Sequence, residues 1–123
     1  MRSRYAAFAR GEVEYLWRTL DAGHPDRSAP KGNVLRALRA ACDTRRYPGL
    51  AVLDHAAPGD DGVARVLFHA RVFEKGRDTS FVECSEFLHD GLGWRYLSGV
   101  MAPSSAAQEA PTITAFLARY ASA

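Results

Sequence analysis

The chain reads as an α+β domain, with helices laid on one face of a curved antiparallel sheet. Residues 63–73 and 81–88 each alternate apolar and polar side chains on either side of the charged, glycine-bearing turn Glu-Lys-Gly-Arg-Asp. Trp94-Arg-Tyr-Leu-Ser-Gly-Val100 forms a third such run behind a second turn. Amphipathic helical stripes precede and follow these runs, and only a sheet gives those stripes a surface to bury.

Ser3 is expected to cap a short first helix that places Tyr5, Phe8 and Ala9 on one side, and Gly11 ends it. Glu12 opens a second helix whose Val13, Leu16, Trp17 and Leu20 form an i, i+3, i+4, i+7 core stripe. Residues 21–32, rich in Gly, Pro, Asp and Ser, read as a loop. Asn33 is expected to cap a third helix with Val34, Leu35, Leu38, Ala41 and Cys42 inward. After Tyr47-Pro48-Gly49 comes a short strand over residues 50–55, then a turn over 57–62.

In the long strands Ala64, Val66, Phe68, Ala70 and Val72 make a wholly apolar face, whereas Arg65, Leu67, His69, Arg71 and Phe73 make a mixed one. A turn centred near Gly76 sets Arg71 opposite Phe81 or Val82, and His69 opposite Glu83 or Cys84. On that register Glu83 lies within reach of both Arg71 and His69. Residues 101–110 read as a linker, followed by a terminal helix over 112–120 with Ile113, Phe116, Leu117 and Tyr120 on one face. The division is therefore residues 1–100 as the domain, with residues 101–123 a linker and helix packed on it.

At 123 residues, 47% of them apolar and 24% charged, the chain holds one core and is not a disordered tail. A net charge of +2 gives no basis for a nucleic-acid partner. That reading would need one continuous patch joining Arg2, Arg4, Arg36, Arg39, Arg45 and Arg46. Cys42 and Cys84 fall on apolar positions and read as buried thiols in a reducing cytoplasm. No apolar run reaches membrane-spanning length, and the N-terminus lacks a signal-peptide core, so a cytoplasmic protein without membrane contact is expected.

Two segments carry a resemblance to a known family. Met1-Arg-Ser-Arg-Tyr-Ala-Ala-Phe8, with Gly11 and the helix after it, resembles the opening of the YchJ-like middle domain of the nuclear-transport-factor-2-like superfamily. Val82-Glu-Cys-Ser-Glu-Phe87 and Gly93-Trp-Arg-Tyr-Leu-Ser-Gly99 are similar to that family's Glu-x-Ser-x-Phe and Gly-x-Trp-x-Tyr-x-x-Gly strands. The resemblance implies a cone-like, cystatin-like fold in which a bent sheet wraps N-terminal helices around a pocket, here with an extra C-terminal helix. Members of the family commonly carry cysteine-rich zinc-binding SEC-C motifs, and nothing in this chain matches them. The family's His-Pro after the helix-two threonine has a counterpart in His24-Pro25, set farther from Thr19.

The superfamily includes isomerases and dehydratases built on an acidic base with Tyr, His or Arg partners, which makes Glu83 and His69 the catalytic candidates. Arg71, Ser85, Tyr96, Arg4 and Tyr5 are the ligand-binding candidates, with Arg4 and Tyr5 better read as anchoring the first helix to the sheet. A cross-strand Arg71–Glu83 ion pair of purely structural purpose competes with any pocket chemistry. The histidines show no metal-ligand spacing and no glycine loop cradles phosphate, so no metal or other cofactor is expected. The functional expectation is a small cytosolic domain that binds a small molecule in its cone or a protein partner on the sheet face, including a second copy. The alternative is a small isomerase or dehydratase with Glu83 as general base.

Overall fold

A computed structural model describes residues 1–121. The elements run α1 (Arg2–Arg10), α2 (Val13–Arg18), a 3-10 turn (Pro25–Arg27), α3 (Lys31–Thr44), β1 (Arg45–Ala56), β2 (Ala64–Glu74), β3 (Arg77–Asp78), β4 (Phe81–His89), β5 (Trp94–Pro103), α4 (Ala106–Glu109) and α5 (Ile113–Tyr120). The strands form one antiparallel sheet in the order β1-β2-β4-β5, with β3 extending the β2 hairpin. The fold is α+β, a curved sheet wrapped around the N-terminal helices, as the sequence predicts.

The β2–β3 turn sets everything that follows. Lys75 and Gly76 both take positive φ, 52° and 78°, and Glu74 pairs directly with Arg77. This is the two-residue geometry that matches strand twist, and glycine supplies its second position without steric cost. The turn centre lies half a residue before Gly76, so the register differs by one from the sequence expectation. Phe68 pairs with Glu83, His69 with Val82 and Ala70 with Phe81. A one-residue shift moves every side chain to the other face. Glu83 therefore faces inward with Phe68 and Ala70, and His69 and Arg71 face away from it.

Both faces of the sheet are core. On the inner face Phe68, Ala70 and Val72 are buried against Met1, Tyr5, Tyr47 and Leu50. On the outer face Leu67, Val82, Cys84 and Ala102 are buried beneath Ala106, Ala110 and Phe116. The centre of the outer face is thus occupied by α4 and α5. Thr112 caps α5, accepting from the Ala115 N–H at 3.2 Å, while Asp54 of β1 accepts from the Ile113 N–H at 2.8 Å.

Several local expectations change. Helix α1 starts at Arg2, so Ser3 sits inside it and its hydroxyl accepts from Tyr15 at 2.8 Å rather than capping. Helix α3 begins at Lys31, directly after Pro30, and the Asn33 side chain accepts from Arg36. Strand β1 starts at Arg45, five residues early, because Tyr47-Pro48-Gly49 is absorbed as a bulge on an edge strand, where a missing N–H costs no ladder bond. Trp17 is only half buried: Arg27 and Lys31 cover its ring at 4.0 and 4.5 Å, while Leu16 and Leu20 take the core positions. Strand β5 runs on to Pro103, and α4 lies in the stretch read as linker.

Phe116 is fully buried, whereas Leu92 in the β4–β5 turn is 90% exposed. Phe116→Ala should cost about 3–5 kcal/mol in urea unfolding. Leu92→Ala should stay within about 0.5 kcal/mol of wild type. Equal effects would mean that α5 is not part of the core.

Candidate functional site

Between α1 and the inner sheet face lies a cavity of about 200 Å³, walled by Tyr5, Phe8, Tyr47, Phe68, Ala70, Val72 and Phe81. Arg4, Glu83 and Tyr96 form one polar part of its lining, and Arg45, paired with Glu74, also reaches it. A second opening, of about 360 Å³, lies against Arg4 between α1, α2 and the residues following β1, with Tyr15, Thr19, His55, Phe87 and Trp94 in its wall.

Arg4, Glu83 and Tyr96 are each held by a specific piece of backbone. Arg4 enters from α1 and is 7% exposed. Its Nη1 donates to the Leu16 carbonyl at 2.9 Å and to the Thr19 hydroxyl, which ties α1 to the end of α2. Tyr96 is fixed because α2 runs off against the edge of β5: the Tyr96 N–H donates to the Thr19 carbonyl and its carbonyl accepts from the Asp21 N–H, both at 2.7 Å. The Arg4 guanidinium lies 4.8 Å from the centre of the Tyr96 ring, a cation–π contact in a desolvated setting. The Tyr96 hydroxyl donates to Glu83 Oε2 at 3.1 Å, and the wholly buried Ser85 hydroxyl donates to the same oxygen. Glu83 packs over Gly99, where a Cβ would fall 2.6 Å from the Glu83 carboxyl carbon. A side chain at that position would evict the carboxyl group.

The family model for "YchJ, middle NTF2-like domain" matches residues 1–99, a span that holds every one of these groups. The chain belongs to this family. It is 36% identical over 100 residues to the UPF0225 protein YchJ of Shigella dysenteriae serotype 1, an alignment covering 80% of this chain and 62% of that protein. The solution structure of a SEC-C motif containing protein from Rhodopseudomonas palustris is similar at 29% identity with a TM-score of 0.65, covering 80% of this chain and 73% of that one. No described helix is long and apolar enough to cross a membrane.

In this YchJ-type domain the Glu-x-Ser-x-Phe and Trp-x-Tyr-x-x-Gly strands are neighbours, and Glu83, Ser85, Tyr96 and Gly99 meet on one face. Arg4 joins them from α1. His69 does not: its Nε2 meets the Ser104 hydroxyl at 3.1 Å on the outer face. Arg71 is exposed there, over the Phe73 ring at 5.7 Å, so the expected Arg71–Glu83 pair is absent. Tyr5 both lines the cavity and anchors α1, donating to the Arg71 carbonyl at 2.9 Å and accepting from the Gly49 N–H at 2.7 Å. Thr19, named from sequence only as the threonine before His24-Pro25, stands three residues after Leu16 on the same helix side, and this spacing lets both meet Arg4. His24 also arrives here, with its ring centre 5.7 Å from that of Tyr96.

Glu83 is 7% exposed, and among the described residues it forms no ion pair within 4 Å. Burial pushes its carboxyl above the ordinary value, and the Ser85 and Tyr96 bonds and the Arg4 charge offset this only in part. Burial likewise lowers Arg4 and raises Tyr96, the latter with the Glu83 charge adding to the effect.

Because the folded carboxyl titrates above its ordinary 4.5, the stability it contributes is fully present below that pH and is lost as pH rises through the folded value. Glu83→Gln keeps an acceptor for Ser85 and Tyr96 and removes the charge. The stability of E83Q relative to wild type should therefore climb as pH rises above 4.5 in urea titrations between about pH 4 and 8; a pH-independent difference would refute the assignment. Gly99→Ala should cost about 1–3 kcal/mol through the displaced carboxyl. Stability equal to wild type would show that Glu83 does not rest on Gly99.

Proposed function

We propose that this domain binds one small, mainly apolar molecule in the inner cavity and orients it by the polar end formed by Glu83, Tyr96 and Arg4. The observation that carries this reading is a buried carboxyl with no ion-pair partner among the described residues, set in the wall of a cavity lined by aromatic side chains. A carboxyl in that setting costs stability when it ionises, and a ligand that donates to it offsets the cost. Pockets for drug-sized ligands begin near 300 Å³, so about 200 Å³ favours a smaller guest. An apolar cavity of about 150 Å³ already holds benzene. The two free thiols fit a reducing compartment, and we take the domain to act in the cytosol.

A general-base reading draws on the raised Glu83 carboxyl alone. His69, the catalytic partner named from sequence, is on the other face, and the Tyr96 hydroxyl is already engaged with Glu83.

Ala70 lies in the cavity wall and is 2% exposed. Ala70→Leu should fill part of the void and abolish the amide chemical-shift changes that small aromatic probes induce around Phe68 and Phe81. The spectrum of the variant should otherwise remain that of the folded domain. Undiminished binding in the variant would place the probes elsewhere.

A further inference from the structure

The polar end of the cavity contains two groups of opposite character, each half satisfied. Both protein hydrogen bonds to Glu83 fall on Oε2, leaving Oε1 without a donor among the described residues. Both bonds made by Arg4 use Nη1, leaving Nε and Nη2 without an acceptor there. None of these free atoms is sealed off in the protein, since the buried polar atoms without partners are those of Trp17 and Arg27. Arg4 and Glu83 form no ion pair within 4 Å: the cation lies on the face of the Tyr96 ring, and the carboxyl group takes the Tyr96 hydroxyl.

Resting on the cavity reading above, we propose that the ligand carries a carboxamide or lactam group, its carbonyl accepting from Arg4 and its N–H donating to Glu83 Oε1, with a single-ring apolar body against Phe68 and Phe81. The amide is the neutral group that presents an acceptor and a donor on adjacent atoms. It satisfies Glu83 Oε1 and one of the two free Arg4 nitrogens at once without adding a charge to the desolvated end. A carboxylate would complement Arg4 but would set a second acceptor against Glu83. A hydrocarbon would leave both polar groups bare.

The probes are benzamide, benzoate and toluene, titrated at pH 7 into the full chain and followed by amide chemical shifts. Benzamide should bind on the order of tenfold more tightly than toluene, as expected for hydrogen bonds to charged groups, and more tightly than benzoate. In Glu83→Gln the retained oxygen keeps the Ser85 and Tyr96 donors, so the amide nitrogen turns to the cavity and a donor replaces an acceptor. The preference should then reverse, with benzamide weakened about tenfold and benzoate strengthened. Should that variant fail to fold, the wild-type ranking decides. Equal binding of toluene and benzamide, or a wild-type preference for benzoate, overturns the amide assignment and leaves the cavity reading standing. Binding of none of the three overturns both.

Discussion

A two-residue turn decides which face of the sheet receives Glu83. With Lys75 and Gly76 in the left-handed region, β2 and β4 meet so that Glu83 opposes Phe68. One residue of slip would send it out beside His69 and turn Val82 and Cys84 inward in its place. The hydrophobic pattern enforces the same register from the other side. Leu67, Val82 and Cys84 find apolar cover beneath Ala106, Ala110 and Phe116, and Phe68 and Ala70 find it against Met1, Tyr5, Tyr47 and Leu50. Turn chemistry and burial agree, which is how a sequence specifies one pairing among neighbours differing by a residue.

The two faces serve different ends. The outer face is closed by α4 and α5, whose small residues Ala106 and Ala110 let Phe116 settle onto the strands. Thr112 and Asp54 then take up backbone donors that the start of α5 would leave bare. The inner face is deliberately less complete. Tyr5, Tyr47 and Phe8 brace one another through edge-on and tilted ring contacts above the sheet. The short side chain of Ala70 leaves room beneath them, and the void that results is lined in part by polar groups rather than by hydrocarbon alone.

Much of this was legible in the sequence, and the failures share a cause. Element order, the inner apolar face, the terminal helix stripe and the family all follow from periodicity and from the residues of the Glu-x-Ser-x-Phe and Trp-x-Tyr-x-x-Gly strands. The pairing of Glu83 with Arg71 did not survive, because local pattern locates a turn to within a residue and facing depends on that residue. Arg4 joins Glu83 from a distance of 79 positions in the chain, through the packing of α1, and no strand periodicity reports such a contact. Trp17 misled for another reason: an indole counts as apolar in any stripe, yet two cations can cover it as readily as a core can.

The arrangement of Arg4, Tyr96 and Glu83 explains why the site remains chemically open. Had arginine and carboxylate met directly, the ion pair would have satisfied both and the cavity would have ended in an inert plug. Tyr96 prevents this because its position is set by main chain on two sides: the β5 register with Phe87, and the clamp from Thr19 and Asp21. Its ring offers the cation a face, which engages no N–H donor directionally, and its hydroxyl engages one carboxylate oxygen of two. Each charge is stabilised enough to be buried and left with unused hydrogen-bonding capacity. Arg4, Tyr96 and Glu83 all line the inner cavity, so the residue that engages both groups leaves each with capacity for a guest there.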